Sequence, residues 1–241
     1  MEAYPRDPFQ AHEDTKARFG WLQLFLTVVI YFAISIAIGV ILSILSLAGI
    51  ISEKTLDQLS WSGNYLLLDA AFVLLTILLY KPLRRYIKPI LMNVAPMKRP
   101  RTYLYILLGW VAIYVMQIIT LDVIGFESNS QQQQDLGLQT AFTAYRQIVL
   151  MISIVLLAPI KEEILFRGLF FRFLTKKTHL IVGLVLSSLL FGLLHGGLIV
   201  TASLLGLIIA LVYWKTRSIY AAMLLHFLWN GSVTLISYLF Q

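Results

Sequence analysis

Residues 21–51 form an apolar stretch that contains no Asp, Glu, Lys or Arg. A helix needs about 20 apolar residues to cross a bilayer, so this stretch can span a membrane with some tilt. Hydrophobic residues make up 59% of the 241-residue chain and charged residues only 13%, whereas soluble domains carry roughly 25% charged residues. Such a chain cannot bury all its apolar side chains in one water-soluble globule. The sequence therefore predicts an integral membrane protein.

Six further apolar segments follow the first one along the chain, which predicts an all-α, polytopic transmembrane helical bundle of about seven, or alternatively eight, spans. The six segments cover residues 62–80, 103–124, 146–174, 180–195, 198–214 and 219–240. Ionisable residues within the first three spans are few, chiefly Asp69 and Asp122, and the polar content of the spans is concentrated after residue 145. We therefore expect three regions: a cytosolic tail (1–20), scaffold transmembrane helices and loops (21–144), and a catalytic transmembrane core (145–241).

The distribution of positive charge predicts the topology. If the N-terminus is cytoplasmic, every Lys and Arg except Lys54 and Arg146 lies either in an inner segment or in the fourth apolar segment. The fourth segment ends on the inner side, so this distribution follows the positive-inside rule. The N-terminal tail lacks the features of a cleavable signal. The net charge of +7 thus indicates membrane orientation and not nucleic-acid binding, and we expect a multi-pass protein of the bacterial plasma membrane.

The fourth apolar segment contains charged residues where a span would normally be apolar. If its helix ended at Pro159, only about twelve apolar residues would precede the end, too few to cross the bilayer. We therefore expect the helix to continue to Leu174, which places Glu162 and Glu163 deep in the membrane. A charge at that depth costs at least ~2.5–3.5 kcal/mol, so such residues are normally paired and functional.

The spacing within this helix predicts how the charges are used. Glu163 and Arg167 are four residues apart and lie on one face, which favours a buried ion pair. Glu162 is rotated by about 100° from Glu163 and can face another helix. Pro159 removes a backbone donor and should free a carbonyl near Val155. We expect Glu163–Arg167 to be structural and Glu162 to be reactive.

Two later segments carry polar residues that could reach Glu162. His195 lies four residues after Phe191, and His226 lies four residues before Asn230. Counted from the inner turns at 1.5 Å per residue, Glu162 lies at about 21 Å, His195 at about 24 Å and Asn230 at about 18 Å. His226, at about 12 Å, is expected one turn lower. The three helices should therefore bring these side chains into one site.

The residue types in this set are suited to water chemistry. The chain has no Cys, no Ser at a plausible spacing from a His, and no phosphate-binding or dinucleotide Gly motif. A desolvated Glu can act as general base on a bound water, with a His helping to orient that water. A second His and an Asn amide can donate hydrogen bonds to an oxyanion. Two His and a carboxylate could instead hold Zn²⁺ with an open position, so a metal-dependent variant remains open.

These residues carry a resemblance to a known family. The chain resembles the CPBP family, which comprises CAAX prenyl endopeptidases, Abi proteins and bacteriocin-processing or immunity proteins, on three successive motifs: Glu162-Glu163-x-x-x-Arg167, Phe191-x-x-x-His195 and His226-x-x-x-Asn230. The similarity covers about residues 145–241. By this resemblance, Glu163 and Arg167 would support the site.

The resemblance also implies the other catalytic roles. Glu162 would activate the water with His195 assisting, while His226 and Asn230 would form the oxyanion hole. A cofactor would not be required, although the family is often labelled metalloprotease and Zn²⁺ is the alternative. The expected partners are the lipid bilayer and a membrane-associated peptide or protein substrate, with no nucleic acid. Nothing in the sequence indicates a prenylated substrate.

Two non-proteolytic hypotheses are also compatible with a buried polar cluster. A bacteriocin self-immunity protein could use the polar cluster to bind a peptide without cutting it. A transporter or proton relay would also bury ionisable residues, but the chain lacks repeat symmetry and its polar groups are on one side of the sequence. Outside the cluster, Asp69 is expected to be a polar group with satisfied hydrogen bonds and not a catalyst.

Overall fold

The computed structural model describes residues 19–60, 62–125, 127 and 144–239, and the predicted cytosolic tail lies outside this part up to residue 18. The prediction of an all-α fold is confirmed, since the described chain contains helices and connecting turns and no strand. The α-helices are α1 (Trp21–Leu47), α2 (Glu53–Ser60), α3 (Ser62–Leu79), α4 (Lys81–Leu91), α5 (Pro100–Gln117), α6 (Ala144–Ile152), α7 (Ala158–Glu163), α8 (Arg172–Lys177), α9 (Leu180–Leu193), α10 (Ile199–Thr216) and α11 (Ile219–Leu239).

The helices α6, α7 and α8 belong to one helical run, residues 144–177, which we call the long helix. Wider π-helical turns at Ser153–Leu157 and Ile164–Phe171 join its three α-helical parts without a non-helical residue. The helix therefore continues past Pro159, as expected. Because π-helical turns often occur at functional sites, their position on both sides of α7 draws attention to Glu162 and Glu163.

Membrane-spanning helices can be recognised by length and composition in the described part of the chain. Four helices are long and apolar enough to cross a bilayer, and a pair bent by 104° (residues 63–79 and 81–98) could form a fifth span. The four are Trp21–Leu47, Pro100–Val123, Ile199–Thr216 and Ile219–Ser237. The predicted segments 146–174, which lies in the long helix, and 180–195, which contains α9, differ from these four helices. The long helix is divided by π-helical turns and carries several charges, and α9 has only 14 residues.

Helices α3 and α4 pack against the long helix, and α1 packs against both of them. Helix α1 lies along α3, and α4 turns sharply away from α3 after Tyr80. The apolar face of α4 buries Leu83 and Ile87 against Leu169 of the long helix. Its basic residues stay exposed on the opposite face. Helix α4 is thus amphipathic, with an apolar face that fixes it to the core.

The main core lies among α5, α9, α10, α11 and the long helix. Phe191, Ile209 and Leu225 contribute one fully buried side chain each from α9, α10 and α11. At Gly109 of α5, an added Cβ would lie 2.8 Å from a methyl group of Leu225. The small residue therefore lets α5 approach the other helices closely, as is common in membrane bundles.

Helices α9 and α10 cross tightly at Gly192, three residues before His195. A Cβ on Gly192 would overlap with the Ser203 hydroxyl and lie 2.8 Å from the Ser203 nitrogen. The turn between the helices then uses positive φ angles at Gly196 and Gly197, which glycine adopts at little steric cost. This tight crossing and short turn determine where His195 lies relative to the long helix.

Candidate active site

The buried ion pair on the long helix is present. Arg167 Nη1 lies 3.0 Å from Glu163 Oε1, and the two side chains are 2% and 0% exposed. The other terminal nitrogen of Arg167 donates to the carbonyl of Gly206 at 2.8 Å. The guanidinium also lies 4.9 Å from the ring centroid of Phe191. This charge is therefore compensated by a carboxylate, a carbonyl and an aromatic face, which offsets the cost of burying it.

Glu162 faces a different set of neighbours from Glu163. Its Oε2 lies 3.7 Å from His195 Nε2 and 3.8 Å from His226 Nε2, and its side chain is 14% exposed. These distances are too long for direct hydrogen bonds. Two atoms about 3.7 Å apart can both contact one water oxygen at about 2.8 Å. Glu162 is thus placed to share a small polar ligand with either imidazole.

The orientation of His195 is determined by Phe191, one helical turn earlier. Its Nδ1 lies 2.7 Å from the Phe191 carbonyl oxygen, and the rings stack at 4.2 Å between centroids. A carbonyl can only accept a hydrogen bond, so Nδ1 carries the proton. In the neutral ring, Nε2 is then the acceptor, and it is the nitrogen that faces Glu162.

His226 links the two glutamates. Its Nδ1 lies 2.8 Å from Glu163 Oε1, the oxygen that also accepts from Arg167, and its Nε2 faces Glu162. The residue is 1% exposed. The rise along the helices predicted that His226 would lie one turn below Glu162, and the two side chains nevertheless approach each other to 3.8 Å. Side chains of this length can bridge a difference of one helical turn between the backbones that carry them.

Asn230 lies on the same helix as His226 and contacts the first π-helical turn. Its amide Nδ2 donates to the carbonyl of Ile154 at 2.9 Å. In a π-helical turn the carbonyl partner of a backbone N–H is five residues earlier, and for Pro159, which has no N–H, that residue is Ile154. The free carbonyl was expected near Val155, so the contact is one residue away. One amide hydrogen of Asn230 forms this hydrogen bond, and the second amide hydrogen does not take part in it.

All six residues of the predicted site belong to one contiguous cluster built from the long helix, the end of α9 and α11. The contacts run from Asn230 through Ile154 to the long helix, and from Arg167 through Glu163 and His226 to Glu162. His195 closes the cluster on the side of α9. The site is therefore assembled from residues up to about 70 positions apart in sequence.

Sequence reasoning did not include three further polar residues beside the site. Lys161 Nζ lies 2.5 Å from Asp69 Oδ2 and 3.8 Å from Glu162 Oε1. The Tyr31 hydroxyl donates a hydrogen bond to the other oxygen of Asp69. Asp69 therefore has satisfied hydrogen bonds, as expected, but its partner is the residue next to Glu162. An aspartate in an otherwise apolar segment was the signal that could have indicated this contact.

The donor set was also compared with the requirements of a metal site. In the described ranges, no group of three or more His, Asp or Glu side chains is arranged so that it could hold a metal ion. His226 and His195 each use Nδ1 for a hydrogen bond to Glu163 or to the Phe191 carbonyl. Bonds of this kind are also common in metal-ligating His, so they do not by themselves distinguish a metal-free from a metal-dependent version of the site. The arrangement as it stands does not match the three-ligand zinc sites of hydrolases.

Comparison with known families supports the assignment of this region. Residues 144–232 match the family model described as type II CAAX prenyl endopeptidase Rce1-like. No curated protein gives a match, and no solved structure does. The matched range contains the long helix and all six residues of the cluster. Residues 144–232 of this chain are thus similar to type II CAAX prenyl endopeptidases, which confirms the resemblance to the CPBP family.

Proposed function

We propose that this protein is an intramembrane endopeptidase that hydrolyses peptide bonds of membrane-associated peptides or proteins with a glutamate-activated water. The observation that carries this proposal is the convergence of Glu162 Oε2 with the Nε2 atoms of His195 and His226, at 3.7 and 3.8 Å. The family match of residues 144–232 supports a protease. The substrate class beyond its membrane association is left open.

In the first step, a water bound between Glu162 and His195 attacks the scissile carbonyl carbon. The Nε2 of His195 accepts one hydrogen bond from this water, because its Nδ1 proton is engaged by the Phe191 carbonyl. Glu162 Oε2 accepts the other. As the new C–O bond forms, the proton moves from water to Glu162, which acts as general base. The carbonyl π-electrons move to oxygen and give a tetrahedral oxyanion.

His226 and Asn230 are proposed as the donors to this oxyanion. Because His226 Nδ1 donates to Glu163, its Nε2 can donate only if the ring is the doubly protonated imidazolium. The carboxylates of Glu163 and Glu162 face the two ring nitrogens and would stabilise such a cation against the positive charge of Arg167. Asn230 has a second amide hydrogen besides the one bonded to Ile154. Donors aimed at a developing oxyanion are worth about 10²–10³ in kcat each.

In the second step, the oxyanion collapses and the C–N bond breaks. Protonated Glu162 returns its proton to the leaving amine nitrogen, so the carboxylate is regenerated. The new carboxyl group of the product loses the remaining water proton to solvent. Each cycle thus consumes one water and one peptide bond. Glu163 and Arg167 do not touch the reacting atoms in this scheme and hold His226 in place.

We propose that this hydrolysis requires no metal ion. The lack of a three-ligand group of His, Asp or Glu side chains among the described residues supports this version. The alternative is a zinc-dependent form of the same hydrolysis. Activity that survives chelation, in protein shown by elemental analysis to be metal-free, would support the proposal. Activity lost on chelation and restored by Zn²⁺ would overturn it.

The proposed topology has a cytoplasmic N-terminus and seven spans in the bacterial plasma membrane. The four apolar helices and the bent pair account for up to five of these spans. The long helix and α9 would supply the remaining two. Lys54 and Arg146 are the only Lys or Arg residues of the sequence that this topology places on the outer side, which supports the orientation. Labelling of single Cys residues, placed in a chain without native Cys, from either side of intact vesicles would test it.

The test of the proposed function is cleavage by purified protein in lipid vesicles. Membrane-associated peptides co-expressed with the protein are analysed by product mass spectrometry to locate a cleavage site. Glu162→Gln should lower kcat by about 10²–10⁴, the usual contribution of a general base. Glu53→Gln makes the same chemical change at an exposed position and should leave kcat unchanged. Equal cleavage by Glu162→Gln and the parent protein would overturn the mechanism.

A further inference from the structure

The two oxygens of Glu162 have different surroundings. Oε2 faces the imidazoles of His195 and His226, whereas Oε1 faces the ammonium group of Lys161 at 3.8 Å. Adjacent residues of a helix do not normally face each other, because their side chains diverge by about 100°. A second contact is therefore needed to hold Lys161 beside its neighbour.

That second contact comes from α3. Lys161 Nζ lies 2.5 Å from Asp69 Oδ2, and their side chains are only 12% and 15% exposed. Lys161 is thus a largely buried cation whose nearest partner is Asp69, with Glu162 further away. An ammonium group in this position can attract the Glu162 carboxylate from 3.8 Å. It does so without a close ion pair, which would make Glu162 a weaker base.

Asp69 is itself oriented by α1. The hydroxyl of Tyr31 donates to Oδ1 of Asp69, the oxygen that Lys161 does not use. The polar chain Tyr31–Asp69–Lys161–Glu162 therefore connects α1 and α3 to the long helix. Its first two members, Tyr31 and Asp69, lie outside the family-matched region, which begins at residue 144.

We propose that Lys161, held by Asp69 and Tyr31, is a positioning residue that orients the carboxylate of Glu162 so that Oε2 points to the catalytic water. This proposal rests on the proposed function, because it assigns a role relative to the base. It also gives part of the first three helices a role in catalysis. The region expected to be scaffold would then contribute directly to the geometry of the base.

Removal of the ammonium group is the first test. Lys161→Met keeps a long side chain without charge and should lower kcat at least about tenfold with KM changed less than about threefold, since the base is misoriented while substrate contacts remain. Lys161→Arg keeps the charge and should retain more of kcat than Lys161→Met. Rates are measured on an internally quenched peptide that carries the cleavage site found by mass spectrometry.

Removal of the group that holds Lys161 is the second test. Asp69→Asn frees the ammonium group to pair closely with Glu162 Oε1 and should also lower kcat with KM little changed. If Asp69 acts through Lys161, adding Asp69→Asn to Lys161→Met should cause no further loss, which is a strongly non-additive cycle. Tyr31→Phe removes only the hydroxyl and should have a smaller effect in the same direction.

A matched control separates positioning from helix packing. Thr201 and Thr120 form another buried side-chain hydrogen bond between helical segments, at 3.2 Å. Thr201→Val removes that bond with little change of shape and should alter thermal stability without changing kcat. If Lys161→Met or Asp69→Asn behaves like this control, with lower stability and parental kcat, the proposal is wrong.

The outcomes for Glu162 and Lys161 distinguish the two proposals. If Glu162→Gln remains active, the mechanism itself fails. If Glu162→Gln is inactive while Lys161→Met and Asp69→Asn keep the parental kcat, only the positioning role fails. Should Lys161→Met not fold, the kcat of Lys161→Arg, Asp69→Asn and Tyr31→Phe decides the question. Parental kcat in all three variants overturns the positioning role, and a decrease in Asp69→Asn and Tyr31→Phe supports it.

Discussion

Nδ1 of His226 lies 2.8 Å from Oε1 of Glu163, an oxygen that also accepts a hydrogen bond from Arg167. One carboxylate oxygen therefore holds two cationic or potentially cationic groups from two helices. Because the two glutamates face different ring nitrogens of His226, the imidazole connects the Glu163–Arg167 pair to the carboxylate that we propose as the base. This contact supports the proposal that the adjacent glutamates have separate roles.

We expect Glu163→Gln to destabilise the protein by about 3–5 kcal/mol, because it leaves the Arg167 guanidinium buried without a counter-charge. Thermal unfolding in detergent measures the effect. The double variant Glu163→Gln with Arg167→Met removes both charges and should be more stable than the single variant. A double variant as unstable as the single one would show that charge pairing is not the cause.

Asn230→Ala should lower kcat by about 10²–10³, the effect of one missing oxyanion donor. It should also cost about 1–3 kcal/mol of stability, since the Ile154 carbonyl loses its side-chain donor. Ser153→Ala is the comparison, because Ser153 donates to the Gly63 carbonyl at 3.1 Å from the same π-helical turn. That variant should change stability only. Equal kcat in both variants would contradict the oxyanion role of Asn230.

Gly192→Ala should reduce both stability and cleavage. An added methyl group overlaps with the Ser203 hydroxyl, so α9 and α10 must separate, and overpacking of this kind costs about 1–3 kcal/mol. His195 lies three residues further and should be displaced from Glu162. Gly39→Ala on α1 has open space around its Cβ and should stabilise by about 0.5–1 kcal/mol. Unfolding curves and cleavage rates of the two variants provide the comparison.

Glu127 should make the stability depend on pH. Its burial raises the pKa, but hydrogen bonds from the backbone N–H groups of Thr201 and Val200 outweigh this effect and hold the pKa below the ordinary value of 4.5. A lowered pKa means that the stabilisation is present above pH 4.5 and is lost as the pH falls through the folded-state value. Glu127→Gln should weaken this acid-dependent loss, which thermal unfolding between neutral and acidic pH measures. An unchanged pH dependence would exclude the carboxylate as its source.

Local patterns in the sequence were sufficient for several features of the site. The spacing of Glu163 and Arg167 predicted their ion pair, and the length of the apolar segment predicted that the helix continues past Pro159. Both depend only on the regular rise and rotation of one helix. The roles of these residues in catalysis stay predictions, tested by the variants described above.

Contacts between helices were less accessible to sequence reasoning. The rise along single helices brought Glu162 and His226 to neighbouring turns, but it did not indicate that His226 would contact Glu163 through Nδ1. The pairing of Lys161 with Asp69 was missed because the two residues are 92 positions apart. The periodicity of a single helix does not indicate which residue of another helix will pair with a given charge.

The sequence alone determined that this chain is a helical membrane protein with charges buried in its second half, because hydrophobic length and helical spacing are properties of single segments. The tertiary structure decided how those charges are distributed. It placed His226 between the two glutamates and brought Asp69 beside Lys161. The physical reason is that the free energy of a buried charge depends on the groups that surround it in space. Those groups come from helices whose rotation and tilt are set by packing of the whole bundle.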